Sequence, residues 1–317
     1  MQRNKDTGRD RFTPAYRLLS RETLAGRSRS AREIQQACTL CGRRCGTART
    51  QRPGQCRMQQ TAWVASYGAH HGEEAPLRGR FGSGTIFFSS CNLNCVFCQN
   101  ADISQTLAGS PVTSEELAGL MLSLQDQGCH NINLVSPSHV VAEILEALVI
   151  AAGHGLSLPL VWNTGGYDSP EALALLDGIV DIYMPDMKYS DAQTALEYSG
   201  IQDYPRINQE AVREMFRQTG DLQIDASGIA TRGLLVRHLV LPGGLAGTPD
   251  IVRFLAEEIS TDTYLNLMDQ YRPCHQAALH PLLNRCITRE EYQAALAAAQ
   301  TAGLTRLDER RSFLSFL

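Results

Sequence analysis

The chain has 317 residues, with 29 Lys and Arg against 33 Asp and Glu, for a formal net charge of −4 at pH 7. Its 43% hydrophobic and 20% charged content is that of a globular protein with a full core, and its length suits one α/β barrel with an appendage. The lack of a basic excess argues against sequence-independent nucleic-acid binding. No apolar run reaches the roughly 18 residues of a membrane span.

In chain order, residues 1–35 are polar, arginine-rich and weakly periodic, and read as a flexible arm or a single helix near Glu33–Ala37. The charged opening MQRNKDTGRDRFTPAYR has no apolar stretch behind it, so a secretory signal is not expected and the chain reads as cytoplasmic. Residues 36–81 combine four cysteines with turn formers such as Gly42, Gly46, Pro53 and Gly54, predicting a small loop-rich module. From Gly82 the texture changes to short apolar strands alternating with helices. Strands are expected at Thr85–Ser89, Ile132–Val135, Leu158–Trp162, Val180–Met184, Leu234–Leu241 and Thr263–Leu267. Helices are expected at Thr113–Gln127, with a Thr113-x-x-Glu116 capping box, and at Val140–Ala152, Pro170–Asp177, Gln209–Gln218, Ile251–Ile259 and Glu290–Thr301. Six β-then-α units imply a parallel sheet with helices outside, short of a closed eight-stranded barrel. The fold expected over residues 82–305 is therefore a partial (β/α)6 TIM-like barrel, preceded by the cysteine-rich module and followed by a tail at 306–317.

Without a signal, ten cysteines are not a disulfide framework; they are metal ligands, buried hydrophobes or reactive thiols. Seven fall into two groups. Cys91-x3-Cys95-x2-Cys98 follows the first expected strand of the alternating array, where such folds place their chemistry. Three thiolates are one short of a closed zinc site or a fully ligated [4Fe–4S] cluster, so a cluster here would keep one iron open. Zinc completed by a distant ligand is the alternative. Phe97 adds an apolar face beside that position. Upstream, Cys38, Cys41, Cys45 and Cys56 can close a zinc site or ligate a second cluster, and the spacing does not choose between them. Cys129 reads as a core residue, while Cys274 and Cys286 receive no role. His70 and His71, beside Glu73 and Glu74, read as a polar, partly exposed loop.

The CxxxCxxC spacing with an aromatic before its last cysteine resembles the radical S-adenosylmethionine enzymes. The core is more narrowly similar to pyruvate formate-lyase activating enzymes and the iron–sulfur proteins grouped with them. Asn163-Thr164-Gly165-Gly166, Asp181-Ile-Tyr-Met-Pro-Asp186-Met-Lys188 and Val236-Arg237-His238-Leu-Val-Leu-Pro242-Gly243 carry the resemblance further, in order, across about residues 82–270. The resemblance implies a [4Fe–4S] cluster on Cys91, Cys95 and Cys98 that binds S-adenosylmethionine and cleaves it reductively to a 5′-deoxyadenosyl radical. It also implies that Phe97, Asn163, Thr164, Asp186 and Lys188 line the cofactor cavity. Arg237 and His238 alternate along a strand, so at most one faces that cavity, and Arg237 is the better carboxylate partner. Met184 and Met187 are read as packing.

Two stretches depart from the family pattern. Val135-Ser136-Pro137-Ser138-His139 stands where many members carry Gly-Gly-Glu; His139 either acts there or begins the next helix. Leu267–Pro273 lacks the histidine of the activases. The leading expectation is activation or modification of a protein or peptide, with a flavodoxin- or ferredoxin-type electron donor. Radical chemistry on a small molecule and a non-catalytic electron carrier are the alternatives.

Overall fold

A computed structural model describes residues 12–308; residues 1–11 of the expected arm and 309–317 of the expected tail lie outside the described residues. Among the described residues the strands are β1 (Ala62–His70), β2 (Ser83–Phe88), β3 (Ser110–Val112), β4 (Ile132–Val135), β5 (Leu160–Thr164), β6 (Ile182–Pro185), β7 (Gln223–Ile224), β8 (Ala230–Leu239) and β9 (Tyr264–Met268). The helices are α1 (Arg21–Ile34), α2 (Ala75–Arg78), α3 (Ala101–Ser104), α4 (Ser114–Asp126), α5 (Val141–Gly153), α6 (Pro170–Leu176), α7 (Ala192–Ser199), α8 (Tyr204–Thr219), α9 (Thr248–Phe254) and α10 (Arg289–Thr301).

Strands β2, β4, β5, β6, β8 and β9 run parallel in that order, the six expected from sequence. Among the described residues no ladder joins β9 back to β2, so the array stays open, as six units rather than eight require. At the β2 edge β1 adds antiparallel, carrying β3 with it; β7 forms an antiparallel flap on β8. Part of the segment read as a loop-rich module is thus a nine-residue strand of the main sheet. Its alternation was masked because Tyr67 and other outward positions are exposed on a sheet edge.

The main core lies between the sheet and its covering helices, where Leu117, Met121 and Leu124 of α4 meet Val141, Leu145 and Leu148 of α5. Thr113 caps α4 with the reciprocal bonds of a capping box: Glu116 N–H to Thr113 Oγ1 at 3.1 Å and Thr113 N–H to Glu116 Oε2 at 2.8 Å. On the inner face, α2 fills the open side. Its Leu77 packs with Val161, Ile182, Met184 and Leu235, and the Leu77 carbonyl accepts from Asn131 Nδ2 at 2.8 Å.

The described part of the expected arm lies along the core. The helix foreseen near Glu33–Ala37 begins at Arg21, with Ser20 as its cap, and ends in a tight turn at Gln35–Ala37. Leu24, Ser28 and Ala31 form a buried stripe of helical spacing on α1, and Arg32 pairs with Glu143 at 2.7 Å and with Glu146. Ahead of α1, the Ala15 and Leu160 amides both donate to the buried Asp181 carboxyl, at 2.8 and 2.9 Å. Among the described residues no helix is long and apolar enough to cross a membrane.

Candidate functional site

The C-terminal ends of the parallel strands surround a cavity of about 430 Å³. Cys91, Cys95, Cys98, Phe97, Asn163, Thr164, Asp186, Lys188 and Arg237, all singled out in the sequence, line it together. Cys129, Met184 and Met187 are core residues outside the lining, and His238 turns to the other side of β8. There its Nδ1 meets the Met187 carbonyl at 2.6 Å and its Nε2 the Thr248 hydroxyl at 2.8 Å.

The cysteine loop leaves β2 through Ser90, whose φ of 66° is a left-handed conformation that costs a non-glycine residue about 1–3 kcal/mol. Each thiol has a polar neighbour. Ser199 Oγ donates to Cys95 Sγ at 3.0 Å, the Leu93 amide donates to Cys91 Sγ at 3.4 Å, and Cys98 Sγ lies 3.1 Å from Ser104 Oγ. Burial pushes the Cys91 thiol up to about 12 and raises that of Cys95, against the pull of Lys188. Thiols so buried are neutral until a metal ionises them. Phe97 stands edge-on to Tyr189 and Tyr271, with ring centroids 6.2 and 5.9 Å apart.

Opposite the thiols, Lys188 Nζ sits 2.6 Å from Asp186 Oδ2. Burial opposes the Lys188 charge, but the Asp186 carboxylate outweighs it and keeps the amine protonated. Helix α8 fixes this end. Tyr204 OH donates to the Gly165 carbonyl at 2.9 Å, and Asn208 Nδ2 reaches the Gly166 and Asp186 carbonyls at 3.0 and 2.9 Å. A Cβ on Gly166, at φ +73°, would lie 2.2 Å from both Asp186 O and Asn208 Nδ2, so only glycine fits. Thr164 is engaged by the buried Asp168 at 2.6 Å and by Ser138 at 2.9 Å.

Two expectations need correction, and one alternative is decided. Arg237 lines the cavity, but its fork is already filled. Nε and Nη2 bind Glu74 at 2.8 and 2.6 Å, and Nη2 also binds Glu73. Glu73 and Glu74, read as an exposed polar loop, are 6% and 0% exposed because they neutralise this buried guanidinium; Asn266 Nδ2 adds a bond to Glu74 at 2.5 Å. Of the two readings of His139, the helix start is the one the structure shows, and the ring does not reach the cavity. It is buried just before Val140, the N-cap of α5, with Nε2 2.9 Å from the Ser89 carbonyl, and burial lowers it to about 4. Val135 and Ser136 occupy its expected place, Ser136 at φ 56°.

His70 also lines the cavity, edge-on to Phe87, with Nδ1 3.2 Å from Glu73 Oε1. The adjacent His71 borders a different cavity, so the two do not form a metal pair. The sequence signal missed here was a pair of acids immediately before the apolar Ala75-Pro76-Leu77.

The upstream cysteines gather beside this site. Cys38, Cys41 and Cys56 are buried and Cys45 is half-buried. Burial, then the neighbouring Cys56, Cys38 and Cys45, raise the Cys41 thiol. The Gly46 amide closes on the Cys38 carbonyl at 3.0 Å and the Arg44 amide on the Cys41 carbonyl at 2.9 Å. Arg49, 1% exposed, donates to the carbonyls of Met58 at 3.2 Å, His139 at 2.7 Å and Gln59. Burial works against its charge, which Cys56, Glu143 and Cys38 favour. Among the described residues no three His, Cys, Asp or Glu side chains converge as the ligands of a single ion do.

Uncharacterized protein MJ0674 of Methanocaldococcus jannaschii is 31% identical over 284 residues, covering 86% of this chain and 77% of that protein. The chain belongs to that protein's family. No family model matches the chain. Among solved structures, a radical SAM methyltransferase from Sphaerobacter thermophilus is 14% identical with a TM-score of 0.47, covering 69% of this chain and 64% of its own. SuiB of Streptococcus suis, bound to S-adenosylmethionine, is 10% identical with a TM-score of 0.47, covering 69% and 47%. The chain thus spans less than two thirds of either solved protein, and likenesses this distant assign no residue a role.

Proposed function

We propose that the chain is a radical S-adenosylmethionine enzyme acting on a protein or peptide. The observation that carries this reading is the convergence of Cys91, Cys95 and Cys98 with Asn163, Asp186 and Lys188 on one cavity at the strand ends. Three soft thiolates in a loop whose sulfurs already accept or approach hydrogen-bond donors fit a [4Fe–4S] cluster with one open iron. A cubane holds its ligand sulfurs apart at its outer corners, so it does not demand the convergence of a single-ion site. With S-adenosylmethionine bound, such a cluster supplies one-electron cleavage of a sulfur–carbon bond and hydrogen abstraction from a substrate.

The chain's own residues orient and enclose. The Lys188 ammonium, fixed by Asp186, offers its remaining N–H groups to a ligand carboxylate or hydroxyl. Phe97, backed by Tyr189 and Tyr271, walls off water beside the thiols. Gln99, Asn100, Gln105 and Gln270 give the cavity an amide-rich border, suited to the alternating donors and acceptors of a peptide backbone. The four upstream cysteines would hold a second metal centre, its negative charge offset by the buried Arg49.

Adding S-adenosylmethionine to the dithionite-reduced, anaerobically reconstituted protein should change the electron paramagnetic resonance signal of its cluster. The change should disappear in Cys91→Ala/Cys95→Ala/Cys98→Ala. A signal indifferent to S-adenosylmethionine in the wild type would refute the reading.

A further inference from the structure

The two cysteine loops are hydrogen-bonded to each other at their ligand residues. Ser90, which precedes Cys91, donates its hydroxyl to the Cys56 carbonyl at 2.6 Å. Arg43 Nε donates to the Asn92 carbonyl at 2.8 Å, and the Gly42 amide and Asn92 Nδ2 share the Tyr167 carbonyl at 2.9 and 2.7 Å. A Cβ on Gly42 would lie 2.7 Å from the Tyr167 ring, so the approach depends on glycine. A route therefore runs from Cys56 Sγ along its own carbonyl, across one short hydrogen bond into Ser90 Oγ, and along the backbone to Cys91 Sγ. Every other link in it is covalent.

The outer face of the first loop has its own character. From Cys38 to Thr61 the chain carries five arginines and no Asp or Glu, within a protein of net charge −4. Arg44 and Arg52 are exposed, and Arg44 is paired with Glu171 at 2.5 Å. Cys45 is half-buried where its three companions are buried, so one corner of the set approaches the surface among these cations. Arg49 is buried, and Arg43 and Arg57 are half-buried with hydrogen bonds inside the fold. Arg52 and the Glu171-paired Arg44 are therefore the arginines of this stretch that face an acidic partner, whose encounter rate exposed cations raise. A zinc ion has no redox chemistry and would make no use of the route inward.

We propose that Cys38, Cys41, Cys45 and Cys56 hold a redox-active iron–sulfur cluster. It takes one electron from an acidic carrier protein docked on the arginine-bearing face and passes it to the Cys91/Cys95/Cys98 site through the Cys56–Ser90 hydrogen bond. The inference rests on the reading that the second site holds a cluster. In the first transfer the carrier is oxidised and the upstream cluster reduced. In the second the upstream cluster is reoxidised and the downstream one reduced, with no bond made or broken.

Two measurements on the full chain test it. Cys91→Ala/Cys95→Ala/Cys98→Ala should retain about four irons and four sulfides, the content of one [4Fe–4S] cluster. Zinc alone, or no metal, would overturn the proposal while leaving the S-adenosylmethionine-responsive signal of the wild type, and hence the function, standing. Loss of that signal would instead defeat the function whatever the upstream site holds. Reduction of the responsive cluster would then be timed by freeze-quench resonance spectroscopy, with either reduced plant-type [2Fe–2S] ferredoxin or dithionite as donor. Ser90→Gly removes the hydroxyl yet suits the left-handed backbone. It should lower the ratio of ferredoxin-driven to dithionite-driven rates several-fold. Arg44→Glu/Arg52→Glu should lower the ratio by about tenfold at low salt and less as salt screens the charges. A ratio unchanged in both variants overturns the route.

Discussion

Replacing Arg49 with methionine tests how the upstream cysteine segment is held. The guanidinium is 1% exposed and its acceptors are the Met58, Gln59 and His139 carbonyls, which join the cysteine loop to the start of α5. Methionine fills much of the volume but donates nothing. The Met58 carbonyl keeps the Gly54 amide at 2.9 Å, but the Gln59 and His139 carbonyls lose a donor at about 1–3 kcal/mol each, partly offset because no charge is then buried. The net loss should be about 2–3 kcal/mol, a substantial share of the 5–15 kcal/mol typical of a domain. Urea unfolding under anaerobic, metal-free conditions reads it directly, with the slope checked for two-state behaviour. Arg49→Lys, which keeps the charge and at most part of the fork, should recover a fraction of the loss. In reconstituted protein, Arg49→Met should also retain less metal at the upstream cysteines, because thiolates there lose their buried counter-charge. Arg49→Met within about 1 kcal/mol of wild type would refute the reasoning.

Glu74→Gln should destabilise the protein by about 1–3 kcal/mol, the cost of weakening buried charged hydrogen bonds, because Arg237 then keeps Glu73 as its carboxylate partner; chemical denaturation checks it, and a neutral effect would mean the Glu74 contact is not closed in solution. Stability should fall on acidification from pH 6.5 towards 4. Burial holds His139 and His238 at about 4, so the unfolded chain binds their protons first, at about 3 kcal/mol each over that span. Asp181, raised to about 7 by burial against its two amide bonds, works in the opposite direction between about pH 4 and 7, so Asp181→Asn should make the acid loss steeper. Urea midpoints from pH 4.5 to 6.5 follow both effects, and a wild-type midpoint that rises on acidification would contradict the assignment. Thr113→Ala, which opens the capping box of α4, should cost about 1 kcal/mol in the same assay, and no loss would show that the cap is not formed.

Much of the parallel array was legible because its strands are short apolar runs bounded by helices with capping signals. Thr113-x-x-Glu116 and Pro170 mark helix starts that the structure keeps. The antiparallel edge was not legible, because β1 is buried on one side only near its beginning and β3 contains Pro111. At the cavity, residues next to strand ends could be placed by alternation alone, which separated Arg237 from His238. The partners of those residues could not. Glu73 and Glu74 come from a loop 163 residues away from Arg237 in Glu74's case, and only the open side of the sheet explains their burial. Nor could the sequence choose between the two readings of His139: the chain turns at Ser136, and the ring ends under the Ser89 carbonyl rather than over the cavity.

Cleavage of S-adenosylmethionine in this cavity is read by chromatographic measurement of 5′-deoxyadenosine after anaerobic incubation of the reconstituted full chain with dithionite and S-adenosylmethionine. Release is expected from the wild type and none from Cys91→Ala/Cys95→Ala/Cys98→Ala. No release from wild-type protein with an intact, reduced cluster at that loop would contradict it.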